Sequence, residues 1–87
     1  MNNMNEAKTI NQLQWQCRRG MLELDVILIP FLEKHYDKLE AKHQSAFCKL
    51  LEQADPDLYT WLMGFGKCDL DEFVDIIQTI RQKMSIA

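Results

Sequence analysis

The sequence is poor in the residues on which most ligand-binding and catalytic motifs are built. Glycine occurs three times in 87 residues, as Gly20, Gly64 and Gly66. Neither the fingerprint of a dinucleotide site nor a phosphate loop can be written from those positions, so no dinucleotide is expected in the Rossmann manner. Positive charge is also scarce: 10 Lys and Arg against 13 Asp and Glu leave a formal net charge of -3. No global field exists to draw phosphate backbones or anionic lipid headgroups, and nucleic acid is not an expected partner. The longest apolar run, Val26 to Leu32, is interrupted by Pro30. It falls far short of the ~20 residues a membrane span requires, so no membrane insertion is expected. Residues Met1 to Lys8 are polar and Asn-rich, without the apolar stretch of an export signal, which leads to the expectation of a cytoplasmic protein.

Cysteine is present but unpatterned. Cys17, Cys48 and Cys68 are an odd set, matching neither a disulfide framework nor paired CxxC knuckles, and reduced thiols are the expected state. With only His35 and His43 to add, every known zinc spacing is missing, and no metal site is expected. No nucleophile, histidine and carboxylate fall into a catalytic arrangement, so the chain is expected to have no catalytic residues and not to be an enzyme.

What is present is the composition of an ordinary folded domain, 47% hydrophobic and 26% charged. Its apolar residues recur at helical spacing. Ile10, Leu13 and Cys17 mark a first helix over Glu6 to Arg18, with Asn5 as its N-cap. Leu24, Ile27, Leu28, Phe31, Leu32 and Tyr36 mark a second from about Met21 to Tyr36, kinked or broken at Pro30. Phe47, Leu50, Leu51 and Ala54 form a third stripe. Asp55 reads as an N-cap and Pro56 as the first residue of a short fourth helix, which carries Leu58, Trp61 and Leu62 and ends at Gly64 or Gly66. Asp69 and Glu72 read as a capping box opening the last helix, with Phe73, Ile76, Ile77, Ile80 and Met84 on one face. No segment alternates as a strand would. The expected fold is all-α, a small irregular bundle of five helices, with residues 1–5 a flexible tail and 6–87 a single helical domain. Trp61, Phe47 and Phe73 are the expected centre of its core.

The unusual stretch is Trp15-Gln16-Cys17-Arg18-Arg19-Gly20-Met21-Leu22-Glu23-Leu24-Asp25. It packs two arginines, a glycine and two carboxylates into a helix junction, where glycine inside either helix would cost ~1 kcal/mol relative to alanine. Gly20 can serve as a left-handed C-cap, with Arg18 and Arg19 meeting the negative end of the first helix dipole. It can equally be a place where another protein's backbone comes close, flanked by a guanidinium fork and a carboxylate. Physics alone weighs these two readings about equally.

Arg19-Gly20-Met21-Leu22-Glu23 fits the RGxxE motif, and the chain here resembles the succinate dehydrogenase flavinylation factors, the SdhE-type FAD assembly factors. The likeness continues in order through Pro30-Phe31, Tyr36-Asp37, Leu50-Leu51-Glu52, Asp55-Pro56-Asp57-Leu58, Trp61-Leu62 and Gly66-Lys67, over about residues 10 to 80. Departures are the extension Met1 to Asn5 and Cys68-Asp69-Leu70, both outside the motif. The resemblance implies a five-helix assembly factor that binds the flavoprotein subunit of succinate dehydrogenase, and in bacteria also that of fumarate reductase. It further implies no stably bound cofactor of its own, since the FAD acted upon belongs to the partner.

Carried over to this chain, the resemblance makes Arg19, Gly20 and Glu23 the partner contact. Arg19 would pair with a partner carboxylate or carbonyl, Gly20 would let the surfaces meet, and Glu23 would take a cation or N–H. Arg18, Met21 and Asp25 would border the contact, while Trp15 is interface or core and Trp61 is core. Arg19 and Glu23 stand in the less favourable order for a helical ion pair, so their heads are expected to be free. The alternative is a generic helical interaction module such as an antitoxin, which shares the size and charge but not the motif. A metal or redox protein built on the three cysteines ranks behind it.

Overall fold

The computed structural model describes residues 9–86, which form five α-helices and one short 3-10 turn. Asn5 and Glu6, expected to open the first helix, and the expected tail lie outside the described residues. Helix α1 is Ile10–Cys17, and its cap is Thr9. The Thr9 hydroxyl accepts from the Gln12 N–H at 3.1 Å while the Gln12 side chain accepts from the Thr9 N–H at 2.9 Å, a reciprocal capping box. Leu13 and Cys17 are fully buried, but Ile10, expected on the same stripe, is 46% exposed at the first position of the helix.

Helix α2, Leu22–His35, runs without interruption through Pro30 and passes into a 3-10 turn at Tyr36–Lys38. Helical spacing puts Val26 and Pro30 on the side away from the core residues Leu24, Ile27, Leu28, Phe31 and Leu32. Water can therefore take the carbonyl left without its usual donor, which explains why the proline does not break the helix.

Helix α3 is Ala41–Leu50, α4 is Asp55–Met63 and α5 is Asp71–Lys83. Gly64 ends α4 with φ +79°, as its place after the stripe predicts. Neither acidic cap expected here forms. Ala54 precedes α4 without a side-chain cap, and the Asp55 carboxylate is drawn instead to Arg19. Leu70 stands at the N-cap of α5, so Asp69 lies one residue too early to cap it.

α2 is the central element, packed against α1, α4 and α5, while α3 packs along α5 and brings Phe47 against Phe31 of α2. The core is centred on Phe31 and Phe47, both fully buried with ring centroids 5.3 Å apart. Phe73 is buried, whereas Trp61 is half-buried and rests on Phe73 at 6.2 Å, so the indole lies at the core's edge rather than its centre.

The core also acts on the Cys17 thiol. Burial, opposed by the Arg19 charge and helped by Asp25 and Cys48, pushes the Cys17 thiol up to about 12 from 9.0. Above pH 9 the unfolded chain releases this proton while the folded chain keeps it. The stabilisation is thus complete below pH 9 and is lost as the pH rises toward 12. The melting temperature is expected to fall as the pH rises above about 9, and Cys17→Ala should make that fall shallower despite a lower starting value. Parallel melts of both proteins check this, and identical slopes would exclude the thiol as the source.

Candidate functional site

The junction between α1 and α2 is four residues long, Arg18 to Met21, and its shape follows from how Arg19 is used. The Arg19 side chain is 15% exposed. Its Nε donates to Asp55 Oδ1 at 2.7 Å, Nη1 to the carbonyls of Gln16 at 2.8 Å and Leu51 at 2.7 Å, and Nη2 to that of Gln53 at 2.8 Å. These carbonyls lie in the last turn of α1 and just beyond α3, where helix ends leave acceptors without intrahelical donors. One guanidinium therefore joins the C-terminal ends of α1 and α3 to the first residue of α4. The planar fork suits this task, because its donors diverge in fixed directions toward acceptors on different segments.

This corrects the expectation that the Arg19 head is free for a partner's carboxylate. The intramolecular carboxylate of Asp55 and three carbonyls occupy it. The sequence shows no sign of this, since the pair spans 36 positions and Asp-Pro at a helix start reads equally well as a cap. The expected contact between Arg19 and the end of α1 does form, through Gln16.

Asp25 is likewise turned inward. Its Oδ1 accepts the Arg19 backbone N–H at 2.7 Å, fixing the junction to the first turn of α2. Met21 is half-buried against the core, and its carbonyl receives the N–H groups of Leu24 and Asp25 that start the helix. Of the six residues expected at a partner contact, Arg19, Met21 and Asp25 thus build the junction, whereas Arg18, Gly20 and Glu23 are exposed. Arg18, not Gly20, is the C-cap of α1, with an extended backbone.

Gly20 follows two residues later with φ +80°, the left-handed region that lets the chain reverse between two helices. A Cβ built on it meets no atom within 4 Å. Its side-chain direction is open, so the requirement for glycine inside this chain is one of backbone conformation only. Glu23 is exposed in the first turn of α2 and has no hydrogen-bond or ion-pair partner among the described residues.

Apolar surface surrounds the junction. Trp15 is 77% exposed, which settles it as surface rather than core, and with Asn11, Gln14 and Arg18 it lines a shallow groove on α1. Leu22 and Val26 are 72% and 55% exposed. The sequence reading missed them, although their spacing with Ile29 as i, i+4 and i+7 is a second apolar stripe that could have been found. Among the described residues no group of three or more His, Cys, Asp and Glu could hold a metal ion, and no helix is long and apolar enough to cross a membrane.

The family model described as "Flavinator of succinate dehydrogenase" matches residues 11–84. The chain is 48% identical over 66 residues to a Vibrio cholerae protein named FAD assembly factor SdhE, covering 76% of this chain and 77% of that one. It is 44% identical to a Colwellia psychrerythraea protein of the same name, covering 86% and 82% of the two chains. With one from Idiomarina loihiensis the identity is 39%, covering 91% and 88%. The family match takes in the junction and, but for the first residue of α1, all five helices, and the chain belongs to the flavinator of succinate dehydrogenase family.

Proposed function

We propose that this chain is a cytoplasmic assembly factor that binds the flavoprotein subunit of succinate dehydrogenase through the α1–α2 junction and promotes covalent attachment of its FAD. The flavoprotein of fumarate reductase is a second client of the same kind. The observation that carries the reading is the pairing of family membership with a junction that presents Gly20 and Glu23, the latter without a partner among the described residues, on a surface held from beneath by Arg19.

In this reading the residues divide their work. Arg19 and Asp25 are positioning residues, joined to each other through backbone and to α4 through Asp55. Gly20 lets the partner's surface approach, and Glu23 takes a partner cation or N–H, with Arg18 at the edge. The reading requires no reacting group from this chain, and Cys17 and Cys48 are buried, with burial holding the Cys17 proton. Its contribution is geometric. A rigid surface that holds the flavoprotein's mobile domains in one arrangement keeps the partner's own nucleophile near its flavin, and such positioning is worth several kcal/mol of barrier.

Glu23→Ala tests the contact. Its exposed carboxylate has no partner among the described residues, so stability should change by less than ~0.5 kcal/mol. Affinity for the purified flavoprotein subunit should fall by ~2 kcal/mol, about thirty-fold, as for the loss of an interface hot spot. Unchanged affinity in a calorimetric titration would remove Glu23 from the contact.

A further inference from the structure

The second helix carries more apolar surface than its core contacts use. Leu24, Ile27, Leu28, Phe31 and Leu32 are buried, yet Leu22 and Val26 on the opposite face are largely exposed and Ile29 and Pro30 are half-buried. Positions 22, 26, 29, 30 and 33 share one face by helical spacing. That face begins two residues after Gly20 and ends at Glu33. Contiguous exposed apolar side chains rimmed by charge mark an interaction surface more often than an accident of composition.

Charge defines what fits it. Glu23 flanks the stripe at its start and Glu33 lies at its end, and neither has a partner among the described residues. Ten residues of helix separate them by about 15 Å. Lys34 falls about 100° round the helix from Glu33, on the same flank as Glu23, and borders the strip beyond Pro30.

We infer that the outward face of α2 is a docking surface for an apolar ridge of the flavoprotein subunit that carries basic side chains near both ends, about 15 Å apart. This rests on the function proposed above and deepens it: the contact is a strip along α2, with the junction as one end. Leu22 and Val26 supply the apolar surface that becomes desolvated on binding, and the two glutamates set orientation and speed of association.

The test is titration of the succinate dehydrogenase flavoprotein subunit with the full chain and three variants, L22Q/V26Q, E33K and E23A. Glutamine is a good helix former, and both apolar positions are exposed, so the double variant should melt as the parent does. It should bind about thirty-fold more weakly or worse. E33K should bind several-fold more weakly, with the difference shrinking as salt is raised. If E23A weakens binding while L22Q/V26Q does not, the α2 face is not the docking surface and the junction reading stands alone. Failure of the parent chain to bind the flavoprotein overturns both. Concentration-dependent self-association of the parent that L22Q/V26Q abolishes would assign the face to a second copy of this chain and overturn the inference.

Discussion

Arg19→Ala is expected to destabilise the fold by about 2–3 kcal/mol, lowering the melting temperature by about 10–20 °C. The substitution removes four hydrogen bonds at once and leaves the carbonyls of Gln16, Leu51 and Gln53 to find water in a part-buried place. The Asp55 carboxylate, 38% exposed, can be rehydrated, which keeps the loss below the ~3–5 kcal/mol typical of a fully buried ion pair. Asp55→Ala should accordingly cost less, about 1 kcal/mol, because Arg19 keeps its three carbonyls. Arg19→Lys should recover only part of the loss: one ammonium cannot reach acceptors on three segments in the directions a guanidinium does. Thermal melts of the three variants decide the matter. If Arg19→Ala melted like the parent yet bound the flavoprotein poorly, the guanidinium would be a contact group after all.

Gly20→Arg is expected to do the reverse, sparing the fold and destroying the complex. Positive φ costs any larger residue about 1 kcal/mol, and no atom of the described residues lies within 4 Å of a Cβ there. The circular dichroism spectrum should remain helical and the melting temperature should fall by only about 4–8 °C. Binding should be lost, because an arginine would stand in the space the flavoprotein occupies. Gly20→Ala carries the same backbone strain with one methyl group, and should retain binding in part. Alanine and arginine variants of equal stability and unequal affinity would separate steric exclusion from strain. Equal affinities would mean that the partner does not approach Gly20.

The pair of variants also marks what could be read from the sequence. Helical spacing located all five helices and most of the core, because burial of one face imposes a period that survives in the residue order. Ends were less legible. Asp55 and Asp69 have the right chemistry for caps, but capping depends on where the backbone leaves the helix, and a carboxylate at such a place can be claimed by a distant cation. Arg19 did claim Asp55, across 36 positions, and no local rule predicts that choice. Thr9 was missed for the opposite reason: Asn5 offered an equally good cap one turn earlier. At the junction the sequence identified the right stretch but not the direction of its side chains. Arg19, Met21 and Asp25 face into the structure and Arg18, Gly20 and Glu23 out of it. The exposed Leu22 and Val26 were hidden in plain view, since apolar residues on a helix are read first as core.

The most direct test is the covalent flavin content of the succinate dehydrogenase flavoprotein subunit in cells lacking the gene for this chain. In-gel flavin fluorescence should reappear when the parent chain is supplied, reappear in part with Gly20→Ala, and stay absent with Gly20→Arg, although immunoblots show that variant at normal abundance. Normal covalent flavin in the gene-deleted cells, or full restoration by Gly20→Arg, would contradict an assembly factor that works through this junction.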